Sequence, residues 1–147
     1  KETKNLRLPK PAEDYGNFDQ LDGDHPWADR VPEGMIKYPV RQLQGGRVSY
    51  FNFELAKEMG LIPKNHSPEL NKKLEQKILQ TFNLRIINEY DQLHEIKYPA
   101  STIKPKQFMA TRYLQLQHTD KTGRTSGDGR CIWNGMVYHK GQVWDVS

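Results

Sequence analysis

A single cysteine, Cys131, stands in a chain of 147 residues. One thiol cannot form an internal disulfide. A small secreted scaffold held by disulfides is therefore excluded, and a reducing compartment, the cytoplasm, is the expectation. Cys131 falls in a stretch of strand character, which favours a structural thiol over a nucleophile. The five histidines include no His-x-x-x-His spacing, and Cys-x-x-Cys is impossible, so no zinc site is expected. No apolar run approaches the ~20 residues a membrane helix needs, and no signal peptide stands out. No membrane partner is expected. Hydrophobic residues are also scarce, at 35%, and the mean hydropathy is −0.87. That balance suits a domain with a long polar arm, or one that hides surface against further sequence. A chain of this length still buries a normal core, roughly 70% of its unfolded surface. The net charge of +4 is mild. It is compatible with a phosphate-bearing ligand and makes no demand for nucleic acid. No aromatic stripe lies on a strand beside a basic groove. Lys72, Lys73 and Lys77 read as the solvated face of a helix.

What is present divides the chain into three. Residues 1–35 are rich in Pro, Asp, Gly and Asn, with Tyr15, Phe18 and Trp27 among them. They have no helical or strand period and read as an extended arm whose aromatics dock on a neighbouring surface. An arm without fixed structure is the alternative. Residues 36–99 read as mainly helical. Val48 to Phe51 reads as a short strand. Asn52 then caps a helix running through Met59, with Glu54 in the first turn and Gly60 closing it in the left-handed region. Ser67-Pro68 reads as the opening of the longest helix, serine at the cap and proline at the first turn. Leu70, Leu74, Ile78 and Phe82 form its apolar face. Leu84 to Ile87 fits either a strand or more helix.

Residues 100–147 change character. Tyr113-Leu-Gln-Leu-Gln117 alternates as a strand does. Cys131-Ile-Trp133 and Met136-Val-Tyr138 flank Asn134-Gly135, a two-residue hairpin signal. Lys140-Gly141 is a second turn, and Val143 to Val146 a further strand. The fold class is α+β, helices followed by an antiparallel β meander. Before the meander stands Lys121-Thr-Gly-Arg-Thr-Ser-Gly-Asp-Gly-Arg130. Glycines let backbone amides converge on an anion, because no Cβ blocks the approach. Arginine adds a planar fork that fits phosphate oxygens. A polar loop joining two strands is the plain alternative, since Gly-x-Gly alone is a weak signal.

Strand, glycine loop, strand, turn, strand is the order of a kinase-like N-lobe over nucleotide phosphates. Ser126-Gly-Asp-Gly-Arg130 followed by Trp144-Asp-Val146 resembles the Leu-Gly-Asp-Gly-Arg…Trp-x-Leu-Lys segment of the selenoprotein O family. Gly46-Arg-Val-Ser-Tyr-Phe-Asn52, Glu54-Leu-Ala56 and Gly60-Leu-Ile-Pro63 resemble that family's Asn-x-Arg-Leu…Asn-x-Glu-Leu-Ala…Leu-Gly-Leu opening. The likeness covers about residues 36–147.

The resemblance implies the N-terminal segment of a protein-kinase-like fold. It implies transfer of AMP from ATP, with magnesium, to protein hydroxyls. It also implies that Gly127 and Gly129 bring amides to the phosphates and that Arg130 pairs with phosphate oxygens. Asp128 would shape the turn, since a carboxylate there repels nucleotide. Lys121 and Arg124 are nearby cations without a family counterpart. The catalytic Asp and the metal-binding Asn and Asp belong to the family's C-lobe, so no catalytic residue or metal ligand is expected in this chain. It should be inactive alone, with ATP, a protein substrate and the remaining kinase-like chain as partners. Two departures favour an alternative, a kinase-like module that binds nucleotide or protein without catalysis. The family's Gly-His-Gln-Phe is replaced by Leu116-Gln-His-Thr119, and alignment on Trp144 puts Ser147 where the family carries its ATP-anchoring lysine.

Overall fold

Asn52, Asn71 and Asn88 each cap a helix, and these caps set the frame of the middle of the chain. The computed structural model describes residues 13–112 and 127–147. Its helices are α1 (Trp27–Arg30), α2 (Phe53–Glu58), α3 (Lys72–Phe82) and α4 (Glu89–Leu93). The Asn52 side chain accepts from the Leu55 amide at 3.0 Å, and Asn71 from the Leu74 amide at 2.8 Å. Asn88 accepts from the Asp91 amide at 3.2 Å, and Asp91 returns the favour to the Asn88 amide at 3.0 Å. Each bond satisfies an amide that the first helical turn leaves without a carbonyl.

Helix α2 follows the sequence reading, with Gly60 behind it at φ +71°. Helix α3 does not open at Ser67-Pro68. It opens at Lys72, because Asn71 takes the cap. The carbonyl of Ser67 instead accepts from Nδ1 of His66 at 2.6 Å. Leu74 and Ile78 are buried as expected, whereas Leu70 precedes the helix and is exposed. The strand expected over Val48 to Phe51 does not form. The Val48 amide goes to the Glu75 carboxylate at 3.3 Å, so it has no ladder to join.

The described residues form seven strands, in chain order β1 (Met35–Tyr38), β2 (Val40–Gln42), β3 (Leu84–Ile86), β4 (Phe108–Arg112), β5 (Gly127–Ile132), β6 (Gly135–His139) and β7 (Gln142–Val146). All pairings are antiparallel and make small sheets, β1–β4–β5, β2–β3 and β6–β7. The architecture is thus α+β. Leu84–Ile86 resolves as strand because helix α3 ends at Asn83, whose carbonyl accepts from the Leu43 amide at 2.9 Å. β1 opens the sequence reading's helical region, 36–99, yet pairs with β4 at Tyr38–Phe108 and Met35–Thr111.

The meander is only partly as expected. Lys140 and Gly141, both at positive φ, turn β6 into β7. Asn134-Gly135 makes no hairpin. The Trp133 amide donates to the Met109 carbonyl and the Asn134 amide to the Val146 carbonyl, both at 2.8 Å. The chain leaves the β4 side at Trp133 and enters the β7 side at Asn134, so β5 and β6 lie in different sheets.

The arm contributes to the core. Residues 16–20 form a 3-10 turn, and Tyr15, Phe18 and Leu21 are buried. They join Ala56, Met59, Leu61, Ile62, Leu74, Ile78 and Val137 in one cluster, with Trp144 and Val146 packed against it. Trp27 is half exposed.

Candidate functional site

Gly127, Gly129 and Arg130 all belong to β5. The sequence suggests a loop there; the backbone is a strand with an irregular ladder. Arg112 stands opposite Gly127 and Ala110 opposite Ile132, with the register shifting between them. A single β4 residue, Thr111, therefore faces the stretch Asp128 to Cys131. Such bulges bend a strand and turn backbone groups out of the ladder, and glycine accommodates them without steric cost. The expected strand Tyr113 to Gln117, and the cations Lys121 and Arg124, lie outside the described residues.

The rest of the resembling segment packs on helix α2. β7 carries Trp144-Asp-Val146, and Trp144 pairs with Val137 of β6. Trp144, Val146 and Val137 meet Ala56, Met59, Leu61 and Ile62 in the core. The contact is close at Gly60, where a Cβ would collide with the His139 ring. A side chain at position 60 would have to displace the His139 ring, and the left-handed φ disfavours one as well.

The arm clasps the other side of the β6–β7 hairpin through a residue the sequence reading did not single out. His25 is buried, and its Nε2 lies 3.2 Å from Oδ2 of Asp145. The Trp27 amide donates to Nδ1 at 3.1 Å. An amide can only donate, so Nδ1 accepts and Nε2 carries the hydrogen that Asp145 receives. The imidazole is flanked by Trp133 at 4.7 Å and Trp27 at 5.3 Å between ring centroids. The indole nitrogens of Trp133 and Trp144 are buried without a hydrogen-bond partner among the described residues. No local pattern announces this pair, since 120 residues separate His25 from Asp145. With both imidazole nitrogens engaged, the group orients the arm on β7.

Among the described residues no group of three or more His, Cys, Asp or Glu side chains could hold a metal ion. Nor is any helix among them long and apolar enough to cross a membrane. Comparisons with protein-family models, with curated proteins and with solved structures found no match.

Proposed function

We propose that this chain is the N-terminal portion of a selenoprotein O-like protein adenylyltransferase with a kinase-like fold, inactive without its C-lobe. The observation that carries the reading is the packing of two distant stretches. Gly46 to Pro63 and Trp144 to Val146 each bear part of the resemblance, and they share one core through Ala56, Leu61, Ile62, Trp144 and Val146. The Gly127-Asp-Gly-Arg130 bulge leads directly into the β6–β7 hairpin. Two motifs that belong to one working unit should fold as neighbours, and these do.

In this reading Gly127 and Gly129 offer amides to the ATP phosphates, and Arg130 supplies the cation. The β5 bulge fits such a role, because amides turned out of a ladder are available to an anion. A protein hydroxyl attacks the α-phosphorus, the bond to the β-phosphate breaks, and pyrophosphate leaves. The hydroxyl proton passes to a base in the C-lobe, where magnesium would also be held.

The test is labelling of the full-length protein with magnesium and ATP carrying label at the α- or the γ-phosphate. Retention of α-label on protein is expected. Retention of γ-label alone would instead mean ordinary kinase chemistry. A second reading is a kinase-like module that has lost catalysis, favoured by Ser147 in place of the family lysine and by the missing Gly-His-Gln-Phe. It predicts no label, with weak or no ATP binding by calorimetry in the same sample.

A further inference from the structure

A cleft of about 340 Å³ lies between the 16–20 turn, the C-terminal half of α3 and residues 104–106. Its size falls within the range of small-molecule sites. Phe18, Leu21 and Phe108 line it with buried apolar surface. Two ion pairs cross it. Lys77 meets Asp19 at 2.6 Å, and Lys106 meets Asp22. These pairs cancel, and both carboxylates come from the same segment of the arm.

The third cation is different. The Lys104 ammonium donates to the Gln80 carbonyl at 2.7 Å. Among the described residues no carboxylate forms an ion pair with it; Asp19, which acts on it at longer range, is paired with Lys77. Burial, followed by the neighbouring Lys77 charge, holds Lys104 below the ordinary lysine value, with Asp19 opposing weakly. Its backbone is fixed as well, the Lys104 amide donating to the Val40 carbonyl at 2.8 Å. A positioned lysine with an uncompensated charge beside an apolar surface has the elements of an anion subsite.

We propose that this cleft binds a small organic monoanion, its apolar body against Phe18, Leu21 and Phe108 and its single carboxylate or phosphodiester group at Lys104. One charge is specified because Asp19 pairs with Lys77, Asp22 with Lys106, and Asp24 with both Lys106 and Lys37, so that of these four lysines and three aspartates one positive charge, that of Lys104, remains unmatched. The site is independent of the glycine segment of β5, and its test does not depend on nucleotide transfer.

The experiment is calorimetry on the intact protein with benzoate, methyl phenyl phosphate and, as the neutral control, benzamide. One of the two anions is expected to bind one-to-one and benzamide far more weakly; which anion binds distinguishes carboxylate from phosphodiester. Lys104→Gln should weaken binding by on the order of tenfold or more, the loss expected with a charge-assisted bond, while Lys104→Arg retains most of it. In wild-type protein with carbon-13-methylated lysines, the Lys104 resonance should move on ligand addition and its titration should shift to higher pH. This second measurement stands even if Lys104→Gln fails to fold. Absence of saturable binding by both anions, equal binding by benzamide, equal binding by Lys104→Gln, or an unmoved Lys104 resonance overturns the proposal.

Discussion

The hydroxyl of Tyr15 and Nε2 of His66 meet at 2.7 Å inside the core, 51 residues apart in the chain. His66 presents Nδ1 to the Ser67 carbonyl, so Nδ1 carries the hydrogen and Nε2 accepts from the tyrosine. The same hydroxyl accepts from the Asn71 side-chain amide at 2.7 Å. Asn71 uses its other atom, Oδ1, to cap α3. One phenol thus joins the arm, the 63–67 turn and the start of the longest helix.

Replacing Tyr15 with Phe keeps the ring and removes the oxygen. His66 Nε2 and Asn71 Nδ2 then lose their buried partner together. The expected cost is about 1–3 kcal/mol of stability, the penalty of leaving buried polar groups unpaired. Urea unfolding should show a lower midpoint with an unchanged slope. A midpoint equal to wild type would mean that the oxygen contributes nothing to the network.

Gly23 makes a comparable join between the arm and the sheet. Its amide donates to the Asn134 carbonyl at 2.8 Å, and its carbonyl accepts from the Met109 amide at 3.2 Å. It sits at φ +84°, and a Cβ there would lie 2.9 Å from Cα of Phe108 and closer still to its ring. Gly23→Ala therefore meets both a backbone and a packing penalty, together at least about 2 kcal/mol. Thermal unfolding should register the loss. Gly45→Ala is the comparison, since position 45 has a similar φ and nothing within 4 Å, and it should cost less.

The parts legible in the sequence were those decided locally. Asn52, Glu54 and Gly60 fix α2 through neighbours a few residues away, and Lys140-Gly141 fixes its own turn. Asn134-Gly135 has the same local appearance, but the amides of Trp133 and Asn134 are claimed by Met109 and Val146, and distant carbonyls outweigh a turn propensity. Ser67-Pro68 lost the start of α3 to Asn71 for a similar reason: Tyr15 anchors Asn71 from the arm. At the candidate site, the glycines and Arg130 stand out by composition, whereas His25 and Asp145 meet only through tertiary structure. Lys77, read as part of a solvated face, in fact pairs with Asp19, a partner that periodicity within one helix does not reveal.

The capping box of α4 should respond to acid. The Asn88 amide first, then the Tyr98 hydroxyl, holds the Asp91 carboxyl below its ordinary value, against a smaller opposing effect of burial. A folded-state value below the unfolded one means that the ionised carboxylate favours the folded state. This contribution is present above about pH 4, near the unfolded carboxylate value, and is lost as the pH falls through the lower folded value. Asp91→Asn removes the titrating group. Denaturant unfolding from pH 6 downward should therefore show a shallower decline in the variant than in wild type, and parallel curves would refute the assignment.

The nucleotide reading turns on Arg130. If its guanidinium meets a phosphate of ATP, Arg130→Ala in the full-length protein should weaken ATP binding by about 1.5–3 kcal/mol, the contribution of a hydrogen bond to a charged group. Asp128→Asn separates charge at the site from a general effect on β5. A carboxylate beside phosphates repels them, so its neutral isostere should bind ATP as well as wild type or better. Calorimetry with magnesium and ATP gives both affinities. Weaker binding in Arg130→Ala with retained binding in Asp128→Asn fits a phosphate cradle along Gly127-Asp-Gly-Arg130. Equal losses in both would point to disturbance of the β4–β5 ladder, and unchanged affinity in Arg130→Ala would remove the arginine from the site.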